Sequence, residues 1–327
     1  MGDLKKGLVS IIVPTYFSEQ YLEKCLNCIV NQTYPDIEVI ICDGASTDGT
    51  VEIIEQFEKK YSFVRCVHKE NEGVSASRNR GMRDAVGEYL QFVDSDDFLL
   101  PDATETMVQA LETSGADMCI AGFRILKTGE ERCPKPGIYK GAEEFAKHLP
   151  EYYFYKNNCL NTPWNKMYRR ENLSAHFPED LSMGEDLMFN LQVLRQTEAI
   201  VVIPHLVYEY NNINDQSLAY RYRENGFEIE TMLHEQMLKF AQDYGGSTEI
   251  LYANYLFGLK TKMTALIHKS GLPGSECRRK IREWTENGSV RELVEQYHPA
   301  GKKDRLLLSF LKHHRKHLLY WYYKIAA

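Results

Sequence analysis

The 327-residue chain has no stretch approaching the roughly eighteen consecutive apolar residues of a membrane-spanning helix. Its opening residues, MGDLKKGLVS, lack the apolar core of a signal peptide before the first strand-like run. These two lacks point to a cytoplasmic protein. Cysteine is sparse: Cys25, Cys28, Cys42, Cys66, Cys119, Cys133, Cys159 and Cys277 are scattered through a long chain. That distribution suits reduced thiols and not a disulfide framework. Cys25-Leu-Asn-Cys28 has no second pair at zinc-site spacing, and it shares a helical face with Leu22, Leu26 and Ile29, so it reads as core packing. There is no surplus of basic charge. Against 39 Lys and Arg stand 46 Asp and Glu, a net charge of -7, which argues against a nucleic-acid partner. No GxGxxG follows the first strand and no GxxxxGK[ST] occurs anywhere, which argues against dinucleotide dehydrogenases and P-loop enzymes.

What is present is ordinary globular composition, 43% hydrophobic and 26% charged, enough for one large domain or two lobes. The first third alternates in period. Short β-branched runs at Leu8–Val13, Ile37–Cys42, Phe63–Val67 and Glu88–Val93 are separated by helical patterns at Glu19–Gln32, Thr50–Lys60 and Ser75–Val86. Near-continuous apolar strands between helices predict a mainly parallel sheet covered on both faces. In such sheets ligands bind outside the carboxyl ends of the strands. Polar clusters fall at those ends: Pro14-Thr-Tyr16, Asp43-Gly44, Asn71-Glu-Gly73 and Asp94-Ser-Asp-Asp97. Pro14 is expected to stop the first strand. From about Ser114 to Tyr222 the pattern is mixed and rich in aromatics. From Asn225 it is helical, broken at Gly245-Gly246, Gly271–Gly274 and Asn287-Gly288, which predicts a three- or four-helix extension.

The stretch FVDSDDF, Phe92 to Phe98, packs three carboxylates into four residues after an apolar run. Taken alone it is either a metal site or a solvated acidic turn. Its neighbours decide. VSIIVPTYFSEQYLEKCLNCIVNQTYPDIEVIICDGASTDGT, NEGVSASRNRGM and GEYLQFVDSDDFLLPD, with TPWNKMYRRENL around Trp164 and MGEDLMFN around Asp186, resemble the family 2 glycosyltransferases of GT-A fold. NNINDQS is a weaker match. The resemblance runs from about Leu8 to Gln216.

It implies a three-layer α/β/α domain and transfer of a sugar from a nucleotide-sugar, most often a UDP-sugar, to a glycan or glycolipid hydroxyl with inversion. It implies Mn2+ or Mg2+ held by Asp96 with Asp94, since hard cations prefer carboxylate oxygen. In an extended segment Asp94 and Asp96 face the same way. Asp97 is expected to cap the helix near Pro101 or to support the other two acids from behind. Asp186 matches the base that takes the acceptor proton, and a helix start is a rigid mount for it. Donor contacts map to Pro14, Thr15, Tyr16, Glu19, Asp43, Arg78, Asp94 and Ser95. Acceptor contacts map to Trp164, Asn165, Lys166 and Glu185, with the indole suited to the apolar side of a pyranose. Arg80 and Arg83 read as solvated. The corresponding division is residues 1–112 for the donor, 113–224 for the acceptor and 225–327 for the helical region.

Two departures stand out. Asp43 is followed by Gly44 where relatives have a second Asp, and Asn212 precedes Ser217 where relatives place a phosphate-binding Arg. Diphosphate neutralisation is then expected to lean on the metal with Arg78 or Lys166. The last residues, from Lys302, hold seven Lys or Arg, three His and one Asp. Leu307, Phe310, Leu311 and Leu318 share a helical face, followed by Trp321-Tyr322-Tyr323. This is the pattern of a helix lying on an anionic membrane surface, the inner face of the plasma membrane, or of one packing back on the protein. The rival functions are a catalytically silent nucleotide-sugar-binding scaffold and a sugar nucleotidyltransferase. The latter's Gly-rich basic first loop is missing after Val13.

Overall fold

A computed structural model describes residues 4–68, 70, 72–153, 159–171, 173–181, 183–212 and 222–325. The chain divides into two compact units, Met1–Ile213 and Asn214–Ala327.

The first unit is built on a ten-stranded sheet with a main path β3-β2-β1-β4-β9-β6-β10-β5. Its first half comprises β1 (Lys5–Thr15), β2 (Ile37–Asp43), β3 (Val64–His68) and β4 (Gly87–Phe92), all parallel. Between them run α1 (Leu22–Val30), α2 (Thr50–Lys60) and α3 (Val74–Asp84). The β-branched residues Ile11, Ile12, Val39 and Ile40 are fully buried, as a strand covered on both faces requires. The second half contains β5 (Phe98–Leu99), α4 (Ala103–Ser114), β6 (Met118–Ile125), β7 (Glu130–Arg132), β8 (Gly137–Lys140), α5 (Gly141–Ala146), α6 (Leu149–Tyr152), β9 (Lys166–Arg169), α7 (Glu185–Gln196) and β10 (Ala199–Tyr210). Here β9 runs antiparallel between β4 and β6, whereas β6 and β10 are parallel. The sheet is mainly parallel by length: its parallel ladders align five to seven residue pairs each, its antiparallel ladders two to four.

Adjacent β4 residues show the three layers, because successive side chains leave opposite faces of a strand. Gln91 accepts a hydrogen bond from Thr104 of α4 on one face. On the other face Phe92 packs edge-on to Phe177 and to Phe189 of α7. A Cβ on Gly81 of α3 would lie 2.4 Å from Ile12 of β1, so only glycine allows that approach.

Pro14 does not end β1. The strand continues to Thr15, with Pro14 opposite Cys42 of β2. Ile12 accepts from Val93 on one side and Thr15 from Gly44 on the other. By alternation, Pro14 faces the β4 side beyond the last paired residue, Phe92, where no N–H is needed.

The second unit holds six helices among its described residues, not three or four: α8 (Gly226–Asp243), α9 (Glu249–His268), α10 (Gly274–Glu286), α11 (Gly288–Gln296), α12 (Lys302–Lys312) and α13 (Lys316–Ile325). The glycine breaks fall where the sequence places them. Two further breaks lack a glycine pair: one around Pro299 and one at His314, a non-glycine residue at φ 48. The tail is therefore two helices. Leu307, Leu308, Leu311, Leu319, Tyr320 and Tyr323 are buried, while Leu306, Leu318, Trp321 and Ile325 are exposed.

Candidate functional site

The carboxyl ends of β1, β2 and β4 are tied together by short polar contacts. After β1 the chain turns at Phe17, in the left-handed region at φ 49. Its N–H donates to Ser46 Oγ at 2.9 Å, and that of Ser18 to Thr50 Oγ1 at 2.8 Å. The hydroxyls of Ser18 and Ser95 lie 2.7 Å apart, joining the first loop to the acidic one. Tyr16 and Phe17 stand half-exposed and edge to face at 4.4 Å, an apolar surface open to a planar ligand. Pro14 and Thr15 lie at the end of β1, with Thr15 buried and its hydroxyl donating to Val13. Asp43 is buried, with its two oxygens accepting the N–H and hydroxyl of Ser46. Glu19 accepts from Gly49 N–H at the start of α2. Asp43 and Glu19 thus hold loops in place in this structure. Asn71 and residues 213–217 of NNINDQS lie outside the described residues.

The acidic stretch divides its carboxylates among three environments. Asp97 is buried, accepting from the Tyr208 hydroxyl at 2.8 Å and the Asn211 N–H at 2.7 Å. It fastens the loop to β10 and does not cap a helix, which corrects one half of the sequence expectation and leaves the supporting role. The same Tyr208 hydroxyl accepts the Asp94 N–H at 3.0 Å. Asp94 is half-buried against Arg78. Asp96 is exposed as a residue, yet partial burial of its carboxyl and then the Asp94 charge push it up to about 6.

Arg78 is the centre of the arrangement. It is 3% exposed, and its guanidinium donates to Asp94 Oδ1 at 2.8 Å and to Asp186 Oδ1 at 2.6 Å. Glu185 Oε1 lies 3.5 Å away, and the Phe177 ring covers one face at 5.2 Å. One cation thus faces three carboxylates. Burial pushes the Asp186 carboxyl up to about 7; Arg78 pulls it down, and Glu185 and Asp94 push it further up. Asp186 sits in the first turn of α7, after Gly184 in the left-handed region at φ 86. In this structure the Arg78 guanidinium, expected to neutralise a diphosphate, is committed to carboxylates.

The TPWNK segment also departs from expectation. Trp164 is 4% exposed, stacked on Tyr208 at 4.3 Å with Phe123 edge-on at 4.8 Å, so it offers no face to a sugar. Asn165 is buried and donates to the Ala121 carbonyl. Lys166 is fully buried, donating to the carbonyls of Cys159 and Thr162 and to Asn165 Oδ1. Burial pulls its ammonium down to about 7. These residues form wall, not contact surface, and Lys166 is not free for phosphate.

Two asparagines were missed by sequence reasoning. Asn79 binds the N–H and carbonyl of Phe177, holding the ring that covers Arg78. Asn190 donates to the carbonyls of Leu160 and Thr162 and accepts from Tyr168. Both lie inside motifs already quoted, one place after Arg78 and four after Asp186. An amide on the buried face of a helix was the available signal.

Residues 10–177 match the family model described as glycosyl transferase family 2. The chain belongs to that family. EpsH of Bacillus subtilis, named as a glycosyltransferase, is 31% identical over 303 residues, covering 90% of this chain and 82% of that one. The poly(ribitol-phosphate) beta-N-acetylglucosaminyltransferase TarS of Staphylococcus aureus is 26% identical over 252 residues, 74% of this chain and 42% of that one. The crystal structure of S. aureus TarS 1-349 in complex with UDP-GlcNAc aligns at TM-score 0.70 and 20% identity, covering 96% of this chain and 89% of that one. A mannosyltransferase from Pyrobaculum calidifontis, in complex with GDP-Man and Mn2+, aligns at TM-score 0.54 and 18% identity over 94% and 85%. At these identities the structural likeness establishes the GT-A fold. Family membership makes the protein a glycosyltransferase, and the nucleotidyltransferase reading falls away.

Proposed function

We propose that this glycosyltransferase moves a sugar from a nucleoside-diphosphate sugar, a UDP-sugar in the first instance, to a hydroxyl of a glycan or lipid-linked glycan in polysaccharide assembly, with inversion. The observation that carries the reading is the single Arg78 guanidinium joining Asp94 to Asp186. It brings the acidic end of β4 and the start of α7 to one point, as a donor phosphate beside an acceptor base demands. TarS, a relative in family and fold, binds UDP and UDP-GlcNAc.

In this reading the acceptor oxygen bonds to the anomeric carbon. The bond from that carbon to the diphosphate oxygen breaks, and its electron pair stays with the nucleotide. The acceptor proton passes to Asp186, whose raised pKa suits a base working near neutrality. Glu185 lies beside it, placed to meet the acceptor. Tyr16, with Phe17, is the surface for the nucleobase, while Pro14, Thr15, Glu19, Asp43 and Ser95 shape the donor loops.

Among the described residues no cluster of three or more His, Cys, Asp or Glu side chains forms a metal cage. The residues nevertheless fit a cation of the Mn2+ or Mg2+ kind, which is held by one or two carboxylates plus substrate phosphates. Asp96 is exposed and uncompensated, with Asp94 beside it. Such an ion would supply countercharge to the leaving diphosphate. Residues 1–112 serve the donor and 113–224 the acceptor.

No helix among the described residues is long and apolar enough to cross a membrane. The exposed Leu318, Trp321 and Ile325, among basic residues, favour peripheral contact with an anionic membrane on its cytoplasmic side. Deleting the tail would strip buried leucines, so the test is Leu318→Ser with Trp321→Ser. Loss of flotation with anionic vesicles is expected; unchanged flotation overturns the contact.

The donor is tested by thermal shift against a panel of nucleotide-sugars with and without Mn2+, followed by turnover. Stabilisation by a UDP-sugar that grows with Mn2+ is expected. Stabilisation by no nucleotide-sugar sinks the proposal.

A further inference from the structure

We propose that the first unit carries a second ligand site, a pocket behind α3 that takes a phosphate ester. A cavity of about 540 Å³ lies between the C-terminal half of α3, β4 and residues 170, 173–176 and 179. That volume falls in the usual range for small-molecule sites. Its floor is apolar, made by Leu90, Leu173 and Ala175. Its polar wall holds Arg83, Arg170 and His176, opposed by one acid, Glu179.

The two arginines distinguish this pocket from the rest of the surface. Most arginines of the first unit are paired with carboxylates: Arg65 with Glu38, Arg80 with Asp84, Arg124 with Glu131, Arg132 with Glu130 and Arg169 with Glu88. Among the described residues no carboxylate lies within ion-pair distance of Arg83 or Arg170. Arg170 is half-buried and anchored through its guanidinium to the carbonyls of Ala85 and Met82, the latter at 3.1 Å. Carbonyls orient a guanidinium without forming an ion pair; burial pulls its pKa down, and the more distant Glu38 charge offsets this only in part. The Glu179 carboxylate already accepts from Asn79 at 2.9 Å. A fixed, partly desolvated cation above an apolar floor, with an exposed second cation on the rim, suits a phosphate whose organic part rests on the leucines.

The pocket is separate from the acidic site. Leu90 and Arg83 line it, whereas the acids lie past the end of β4. Asn79 reaches both, binding Glu179 on one side and holding Phe177 over Arg78 on the other.

Neither Arg83 nor His176 belongs to the transfer machinery, so the test reads binding and not turnover. The intact protein is titrated with glycerol 3-phosphate, inorganic phosphate and sulfate, each with and without saturating UDP, and melted. A second arm uses vesicles of phosphatidylglycerol against phosphatidylcholine, which separates a lipid headgroup from a soluble ester. Glycerol 3-phosphate at about tenfold over its Kd should raise Tm by about 3 °C even with UDP bound. Arg83→Ala should weaken this binding about tenfold while leaving the unliganded Tm unchanged. Arg83→Lys should recover part of it. The site is overturned if glycerol 3-phosphate gives no shift in UDP-saturated protein, if sulfate or inorganic phosphate matches it at equal concentration, or if Arg83→Ala binds as wild type. Failure of glycosyl transfer would leave these outcomes intact, because none depends on a donor sugar being turned over.

Discussion

Two polar stretches of this glycosyltransferase look alike as motifs and behave differently as structure. Phe92–Phe98, after β4, carries an Asp96 side chain that is open and has no cation against it. Thr162–Lys166, before and into β9, has its Trp, Asn and Lys buried and saturated with protein partners. The difference teaches that a motif residue acts on a ligand only where its polar atoms remain unspent. The first stretch leaves the Asp96 side chain exposed. The second builds the wall that holds Tyr208 in place, and Tyr208 in turn fixes Asp94 and Asp97.

The sharpest break in this comparison is Asp186→Asn. It should lower kcat about a thousandfold in protein that still folds, since it removes a base and leaves a side chain of the same shape. Retained turnover would remove Asp186 from the chemistry. Next comes Arg78→Lys, which keeps a charge but cannot hold two carboxylates at once. A fall in kcat of about a hundredfold, with donor Kd within about threefold, is expected. A large loss of donor affinity would mean that Arg78 serves the diphosphate after all.

On the buried side, Lys166→Ala leaves a cavity and withdraws a donor from three acceptors, of which the Thr162 carbonyl keeps Asn190 and Asn165 Oδ1 keeps the Thr162 hydroxyl. It should destabilise the fold by about 3 kcal/mol, a Tm fall of about 9 °C. Donor affinity in the folded protein should survive. Loss of donor binding at unchanged Tm would return Lys166 to the ligand side.

The smallest effect is in pH dependence, where the two stretches have opposite signs. Asp96 and Asp186 have folded pKa values raised from 3.8 to about 6 and about 7. Their contribution is fully present at pH below about 4 and is lost as pH rises to about 7. Lys166 is lowered from 10.5 to about 7. Between those values the unfolded chain binds the extra proton, so this contribution grows as pH rises. Chemical denaturation across pH, wild type against Asp186→Asn and Lys166→Met, should resolve a falling acidic limb reduced to its Asp96 part in the first variant and a rising alkaline limb missing in the second. Parallel curves would contradict both assignments.

Much of the first unit was legible because its strands are uniformly apolar and its helices begin at turn residues. The helical pattern over Thr50–Lys60 matches α2 residue for residue. The positions of Asp94 and Asp96 just past the fourth strand, and of Asp186 at a helix start, were legible by spacing and family resemblance. What stayed hidden depends on distant partners. Nothing local says that Arg78 is claimed by Glu185 and Asp186, more than a hundred residues away, or that Trp164 lies under Tyr208. Burial of a polar side chain is a tertiary fact, and a tryptophan patterned for a sugar and one patterned for a core read alike. The tail's second break was hidden for a different reason: His314 adopts a backbone conformation usually left to glycine.

The placement of β9 has a consequence for synthesis. It is the strand that joins β4 to β6, yet it is made some seventy residues after β4, several seconds of translation at about 5–20 residues per second. The nascent parallel half therefore emerges with the edge of β4 unpaired, and an open apolar edge invites pairing with another chain. Slowing translation between residues 93 and 165 should lengthen that exposure, and chaperone dependence of this protein should concentrate in the same window.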